Sequence, residues 1–183
     1  MSVEIVQKDH KVLRQKAETV PIGDITSVKI QKIIKNMKEA MHSQPDAVAI
    51  AAPQINIPLR IFAVTGKVFM KLKNGEKIEN VKIPEDQVFI NPEIIKLSKT
   101  TDFMEEGCLS VRYLYGRVKR STKASIEAYN DKGEKITRGA SGLLAQIFQH
   151  ETEHLDGKLF IDKAIDVVDL PPEDREKWRK KNR

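Results

Sequence analysis

The sequence predicts an α+β fold, with small antiparallel or mixed β-sheets packed around a late helix, a scaffold helix near the N-terminus and a helix at the C-terminus. Three observations carry this. Strand-like stretches follow one another from residue 59 to residue 129 without helices between them, unlike the alternation of a parallel doubly wound sheet. Apolar residues recur at helical spacing between 27 and 42 and again after Ser141. The later helix carries Gln149-His150-Glu151-Thr152-Glu153-His154-Leu155-Asp156-Gly157, the most specific chemical pattern in the chain.

Residues 1–25 read as an irregular entry segment, with one short helical turn over Val12–Ala17 before Pro21 and Gly23 interrupt it. Thr26 or Ser27 caps the first helix, which ends near His42. Ile30, Ile33, Ile34, Met37 and Met41 form its apolar stripe, and Lys29, Lys32, Lys35 and Lys38 its wet face. Asp46–Gln54 is dense in small residues, which permits close backbone approach by packing or by a ligand. Leu59–Val64 reads as a buried strand.

The lysine-rich segment 67–88 surrounds Asn74-Gly75, a strong hairpin signal, and reads as a surface excursion. Val88–Pro92 returns to the core and Glu93–Leu97 follows it. Arg117–Tyr129 is strand-like throughout, and Asn130-Asp131-Lys132-Gly133 turns the chain towards Ile136. Ser141 is placed to cap the late helix, with Leu143, Ile147, His150 and His154 on one face and Gly157 as its stop. In the tail, early acidic and late basic residues complement a helix dipole. Residues 1–168 read as one domain, and 169–183 as a basic tail belonging to it or extending it.

A chain of 183 residues suits one domain. It is 40% hydrophobic but only 5% aromatic, so aliphatic side chains must fill most of the core. No apolar run approaches the ~18 residues that span a bilayer. The first residues lack the apolar stretch of a signal peptide, and Glu4 argues against a transit peptide. Cys108 is the single cysteine, which excludes an internal disulfide. A reducing cytoplasm is the expected compartment. The net charge of +6 favours anionic partners, but the charges are spread along the chain without an RNA-binding motif, as on a solvated basic surface.

His150 and His154 are four residues apart, so on a helix their Cβ atoms lie about 5–6 Å apart on one face and the imidazoles can converge on one ion. Glu151 is then placed to act on water as a general base. Two histidines leave a tetrahedral ion short of ligands. Cys108 is the candidate third, completing a Cys/His/His set with one position open, as in catalytic sites. Each residue also has a plainer reading: a lone Cys is commonly a buried small hydrophobe, and two helical His can be surface residues.

Three motifs in this order resemble the peptide deformylase family. Ala51-Ala52-Pro53-Gln54 is similar to the end of its first motif, Glu106-Gly107-Cys108-Leu109-Ser110 to its second, and Gln149–Gly157 to its third. Val12-Leu13-Arg14, Ile90-Asn91-Pro92-Glu93 and Gly142-Leu143-Leu144-Ala145 agree as well, so the resemblance runs from about residue 3 to 165.

The resemblance implies hydrolysis of the N-formyl group from nascent polypeptides that begin with formylmethionine. It implies that Cys108, His150 and His154 hold one divalent metal, Fe(II) in the cell, with Zn, Ni or Co as substitutes. Glu151 would be the acid–base residue, and the Gln54 amide and Leu109 backbone N–H would stabilise the oxyanion. The substrate would lie extended against Ala47, Val48, Ala49 and Gly107, by strand addition. A monomer in the cytoplasm is implied, with no DNA or membrane partner. The basic residues Arg179, Lys180, Lys181 and Arg183 suggest ribosome contact, against the plainer reading of a solvated end.

This chain departs from the family pattern at several points. Ala47 and Ala49 stand where glycines are usual, and each would either strain a positive φ, at about 1–2 kcal/mol, or narrow the groove. Glu153 replaces an Asp, Arg112 stands where Pro is common, and the 67–88 segment is long; Arg117 receives no role. The alternatives are a hydrolase with Cys108 as nucleophile, a His-Glu-x-x-His peptidase, a deformylase-like enzyme of altered preference, and a binding protein with a closed groove.

Overall fold

Residues 3–70 and 82–174 are described by the computed structural model. Asn74-Gly75 and residues 175–183, where the hairpin and most of the tail helix are expected, lie outside them. The observed architecture is α+β, as expected. A five-stranded antiparallel sheet contains β1 (Ala49–Ala51), β2 (Ile61–Val64), β3 (Gln87–Leu97), β6 (Lys123–Tyr129) and β7 (Lys135–Ser141), in that spatial order. A smaller sheet contains β4 (Thr101–Gly107), β5 (Leu114–Ser121) and β8 (Ile165–Asp169).

Two helices cover the larger sheet. α1 (Val28–His42) starts as predicted at Ser27, whose hydroxyl accepts a hydrogen bond from the Ile30 N–H. Its buried residues pack with Ile50, Ile61, Ala63, Val88 and Ile90 on one face of the sheet. α2 (Gly142–Leu155) packs on the opposite face against Ala51, Phe62, Val64, Phe89 and Ile126. Adjacent residues of β2 thus point into two different cores, which explains why Ile61–Val64 has no polar alternation. Phe62 and Phe89 stack at 4.8 Å between ring centroids, and Phe148 of α2 meets Phe89 edge-on at 5.3 Å.

Several expectations are refined. The expected helical turn in the entry segment is a short 3-10 turn over Lys11–Arg14. Val88–Pro92 and Glu93–Leu97 form one strand, whose pairing is irregular between Ile90 and Glu93, around Asn91 with its φ of 51°, and again between Ile94 and Lys96. The Asn91 side chain compensates by exchanging two 2.8 Å hydrogen bonds with the Val20 backbone. Arg117–Tyr129 is not one strand. The chain passes from the small sheet to the large one at Thr122, whose N–H donates to Thr100 O at 3.0 Å instead of continuing a ladder. Strand composition on both sides hides this corner. Ser141 does occupy the cap position of α2, but its side chain makes no capping hydrogen bond.

Gly157 ends the α2 region with φ at 72° and lies against the chain at Arg14: an added Cβ would stand 2.8 Å from the Arg14 carbonyl carbon. Left-handed backbone alone costs a non-glycine residue about 1–2 kcal/mol, and this backbone neighbour cannot swing aside. Gly157→Ala should therefore lower unfolding free energy by at least ~2 kcal/mol in a denaturant titration.

Candidate metal centre and its cavity

Three separate elements bring the predicted residues together. His150, Glu151 and His154 come from the last turns of α2, Cys108 follows directly on β4, and Gln54 lies in a 3-10 turn over Ala52–Ile55 that follows β1. The ligand atoms of Cys108, His150 and His154 all lie within 4.8 Å of one another. Cys108 Sγ is 3.2 Å from His154 Nε2. Gln54 is buried, and its Oε1 accepts the Ala51 N–H at 2.8 Å, which turns Nε2 towards Cys108 Sγ at 3.4 Å and Ser110 Oγ at 3.2 Å.

A buried charge network supports this group from behind. Glu106 accepts Arg120 Nε at 2.6 Å and Nη2 at 2.8 Å, and faces His150 Nδ1 at 2.8 Å. Arg120 also reaches Glu153 at 2.7 Å, and Glu153 in turn pairs with Lys163. Burial works against the Glu106 carboxylate, but the hydrogen bonds and charges of Arg120 and His150 outweigh it and hold its pKa at about 2. Burial likewise works against a charged His150, yet Cys108 and Glu106 raise it well above the ordinary value. His154 is driven well below it by burial and by the neighbouring His150. Burial raises Glu151 to about 7.

The centre opens into a cavity of about 360 Å³, with Cys108, His150 and Glu151 at its inner end. Asp46, Ala47, Val48 and Ala49 line one wall, and Glu105, Glu106 and Gly107 another. β1 and β4 are end strands of their sheets, so both walls present sheet edges. Gly107 leaves room for the Tyr115 ring: a Cβ there would sit 2.7 Å from two ring carbons. The positive-φ residues do not include Ala47 or Ala49, which removes the backbone-strain reading and leaves their methyl groups as cavity lining. Leu143, expected on the apolar face of α2, is 51% exposed and lines this cavity. Leu109 is buried at its edge, its carbonyl accepting Gln7 Nε2 at 3.1 Å.

The donor set fits a divalent cation. Ligands bound at about 2.0–2.3 Å to one tetrahedral ion stand roughly 3.5 Å apart, close to the observed thiol–imidazole spacing. The neutral form favoured for His154 is the one that can donate a lone pair. His150, favoured as the charged form here, must give up a proton to bind, and Glu106 at its Nδ1 orients it as outer partners of ligating histidines commonly do. Glu151 Oε2 is buried with no hydrogen-bond partner among the described residues. Such an atom at a cavity wall calls for a proton or a polar ligand.

A family profile described as Polypeptide deformylase matches residues 2–169. The chain belongs to the peptide deformylase family. It is 37% identical over 178 residues to peptide deformylase 1A, chloroplastic/mitochondrial, of Arabidopsis thaliana, covering 92% of this chain and 66% of that protein. It is 40% identical over 156 residues to a peptide deformylase of Halothermothrix orenii, covering 85% and 89% of the two chains. A Met-Ala-Ser-bound class I type b peptide deformylase from Acinetobacter baumannii superposes with a TM-score of 0.75 at 27% identity, covering 89% of this chain and 99% of that one. The family is metal-dependent, in agreement with the donor set.

The sequence singles out only Glu153 behind the candidate ligands, and the structure adds three more residues there. Glu106 lies two residues before Cys108, so strand alternation turns both to one side. Arg120 follows the fully buried Val118 by the same interval, which makes it a core-facing arginine that needs a partner. Gln149 is bonded to the Ser121 backbone by N–H and C=O, both at 3.0 Å, and ties α2 to β5. Glu153, in place of the family Asp, belongs to the same network. Arg117 pairs with Asp166, away from the candidate ligands.

Removing Glu106 leaves Arg120 buried with only the partly exposed Glu153 as a partner. Glu106→Ala should cost about 3–5 kcal/mol of unfolding free energy, measured by chemical denaturation. Glu153→Asp, which keeps the Glu106–Arg120 pair, should cost about 1 kcal/mol or less.

Proposed function

We propose that this chain hydrolyses the N-formyl group of linear peptides beginning with formylmethionine, the starts of nascent polypeptides, and releases formate. The observation that carries the reading is the convergence of a thiol and two imidazoles beside Glu151, whose buried Oε2 has no partner among the described residues, where a cavity flanked by two sheet edges reaches Cys108, His150 and Glu151. Family membership and the Met-Ala-Ser complex of the Acinetobacter enzyme support a peptide as the occupant. The chain spans 66% of the Arabidopsis relative's length.

In this reading Cys108, His150 and His154 hold one divalent ion, Fe(II) in the cell, with Zn, Ni or Co able to replace it. When bound, the ion supplies Lewis acidity to the formyl oxygen and to water. Glu151 takes a proton from the attacking water at its free carboxylate oxygen and delivers it to the leaving amine nitrogen, while the water oxygen joins the formyl carbon and the C–N bond breaks. A carboxyl raised to about 7 by burial suits both transfers near neutral pH. The Gln54 Nε2 amide, fixed through the Ala51 N–H, and the Leu109 backbone N–H donate to the developing oxyanion. The peptide pairs along Ala47, Val48 and Ala49 and across from Gly107, with the two alanine methyls reducing the groove's width.

Residues 1–168 form the catalytic domain in this reading and 169–183 an extension, in keeping with a family match that ends at residue 169. The reading places the chain in the cytoplasm as a monomer; among the described residues no helix is long and apolar enough to cross a membrane. Ribosome contact rests on the basic tail, most of which lies outside the described residues; unchanged low-salt co-sedimentation after deleting 173–183 would remove it.

Purified protein loaded with Fe(II) or Ni(II) should release formate from formyl-Met peptides and leave the rest of the peptide intact. Glu151→Gln should lower the rate by roughly 10²–10⁴-fold, and a chelator should abolish it until metal is restored. The Cys108–His154 spacing is also one a thiol hydrolase would use, and activity that survives chelation would favour that reading. Peptide-bond cleavage would favour a general peptidase, and no formate release from any metal-loaded sample would overturn the proposal. Ala47→Gly with Ala49→Gly should lower KM a few-fold.

A further inference from the structure

The geometry points to the Arg112–Asp46 ion pair as a specificity-determining strap at the outer rim of the cavity, which masks two opposite charges from the residues following the substrate's first methionine. The inference rests on the peptide-binding reading of the cavity.

Arg112 lies in the turn after Cys108, and Asp46 lies in the segment leading into β1. Both line the cavity, so the pair joins the segment that precedes β1 of the large sheet to the turn between β4 and β5 of the small one. The contact is a two-pronged fork: Nη1 donates to Oδ2 at 2.8 Å and Nη2 to Oδ1 at 3.0 Å. Nη2 also donates to Gln44 Oε1 at 3.2 Å, and the Arg112 N–H reaches Gln7 Oε1 at 3.4 Å. Gln7 Nε2 bonds the Leu109 carbonyl, which extends the strap to the residue beside Cys108. The pairing holds Arg112 above its ordinary pKa, the Asp46 hydrogen bond acting most strongly. The two side chains remain 20% and 36% exposed, so neither charge is sealed from a ligand.

A peptide running outward from the candidate metal centre along Ala49, Val48 and Ala47 next reaches Asp46. It meets there a guanidinium and a carboxylate that already satisfy each other. A charged side chain of the peptide would interact with both members and gain little from either. Breaking one member changes this: without the carboxylate the charge balance at the rim turns positive, and without the guanidinium it turns negative. Rim charges of this kind govern encounter and partner choice more than the strength of a buried core.

The test measures deformylation of formyl-Met peptides carrying Glu, Lys or a neutral residue at the second and third positions. Equilibrium binding of the corresponding labelled Met peptides is measured by fluorescence anisotropy. The unmodified protein should show nearly equal KM and Kd for the Glu and Lys series. Asp46→Asn should favour the Glu series by roughly fivefold or more, and Arg112→Gln the Lys series by a similar factor. Both preferences should shrink as salt is raised from 0.1 M to 1 M, where the Debye length falls from about 10 Å to about 3 Å. Exchanging the charges, Asp46→Arg with Arg112→Asp, should restore indifference.

A merely structural strap would shift all three series together, and that result would overturn the proposal. Equal Glu-to-Lys ratios in both single variants would do the same. Absence of turnover by every metal-loaded sample would remove the deformylase reading, while the anisotropy ratios would still decide the role of the strap.

Discussion

Arg120 and Glu106 bury a guanidinium and a carboxylate against each other with side-chain exposures of 1% and 2%, and much of the candidate site depends on that constraint. Neither charge tolerates such burial alone. Their fork-like contact fixes β5 against β4, and Glu106 Oε2, which accepts one prong of the fork, also faces His150 on α2. Glu153 then grips Arg120 from the same helix, one turn on. The network thus sets the height and rotation of α2 relative to the small sheet, and with them the direction in which two imidazoles point. A buried ion pair adds little net stability over an apolar replacement. Its value here is geometric, because it leaves α2 few positions in which all partners are satisfied.

The other half of the site is built by different means. Gln54 and the wall over Asp46–Ala49 flank β1 at the edge of the large sheet, which is held by aliphatic and aromatic packing on both faces. Phe62, Phe89 and Phe148 lock α2 onto one face, while α1 closes the other. α2 is therefore shared: its apolar side is docked on the large sheet and its polar end is docked on the small one. The cavity lies where the two meet, which explains why β1 and β4, the end strands of separate sheets, flank it. A polar centre can exist there because neither core has to extend across the seam.

How much of this was legible in the sequence depended on how local each signal was. The two long helices, the caps at Ser27 and Ser141, and the Gly157 stop follow from spacing and backbone preference within a few residues. The candidate ligands were legible because four-residue spacing on a helix is itself geometry, while Cys108 as their companion was carried by resemblance. The corner at Thr122 was hidden because strand-forming residues flank it, and only the pairing partners, β4 and β8 for β5 but β3 and β7 for β6, reveal that the two strands belong to different sheets. Arg120 could have been suspected from its position in the inward alternation after Val118. Its partner is 14 residues distant, and no local pattern names it. Leu143 misled for a related reason: helical spacing identifies a face but cannot distinguish a core from a cavity.

The departures of this chain from the family pattern divide along the same seam. Glu153 lengthens a carboxylate side chain in the network behind the ligands, and the structure accommodates it with Arg120 on one side and Lys163 on the other. The set of Cys108, His150, His154 and Glu151 keeps its residue types because each must meet the others at short range, and no neighbour could compensate for losing one. Ala47, Ala49 and Arg112 instead stand along the walls, where a methyl group or an ion pair alters width and charge without moving a ligand. Divergence is cheapest where the surroundings are solvent and a mobile occupant, and dearest where they are other fixed side chains. The altered wall residues are thus where this chain's own selectivity is to be sought, while the candidate centre on α2 keeps the residue types of the family motif.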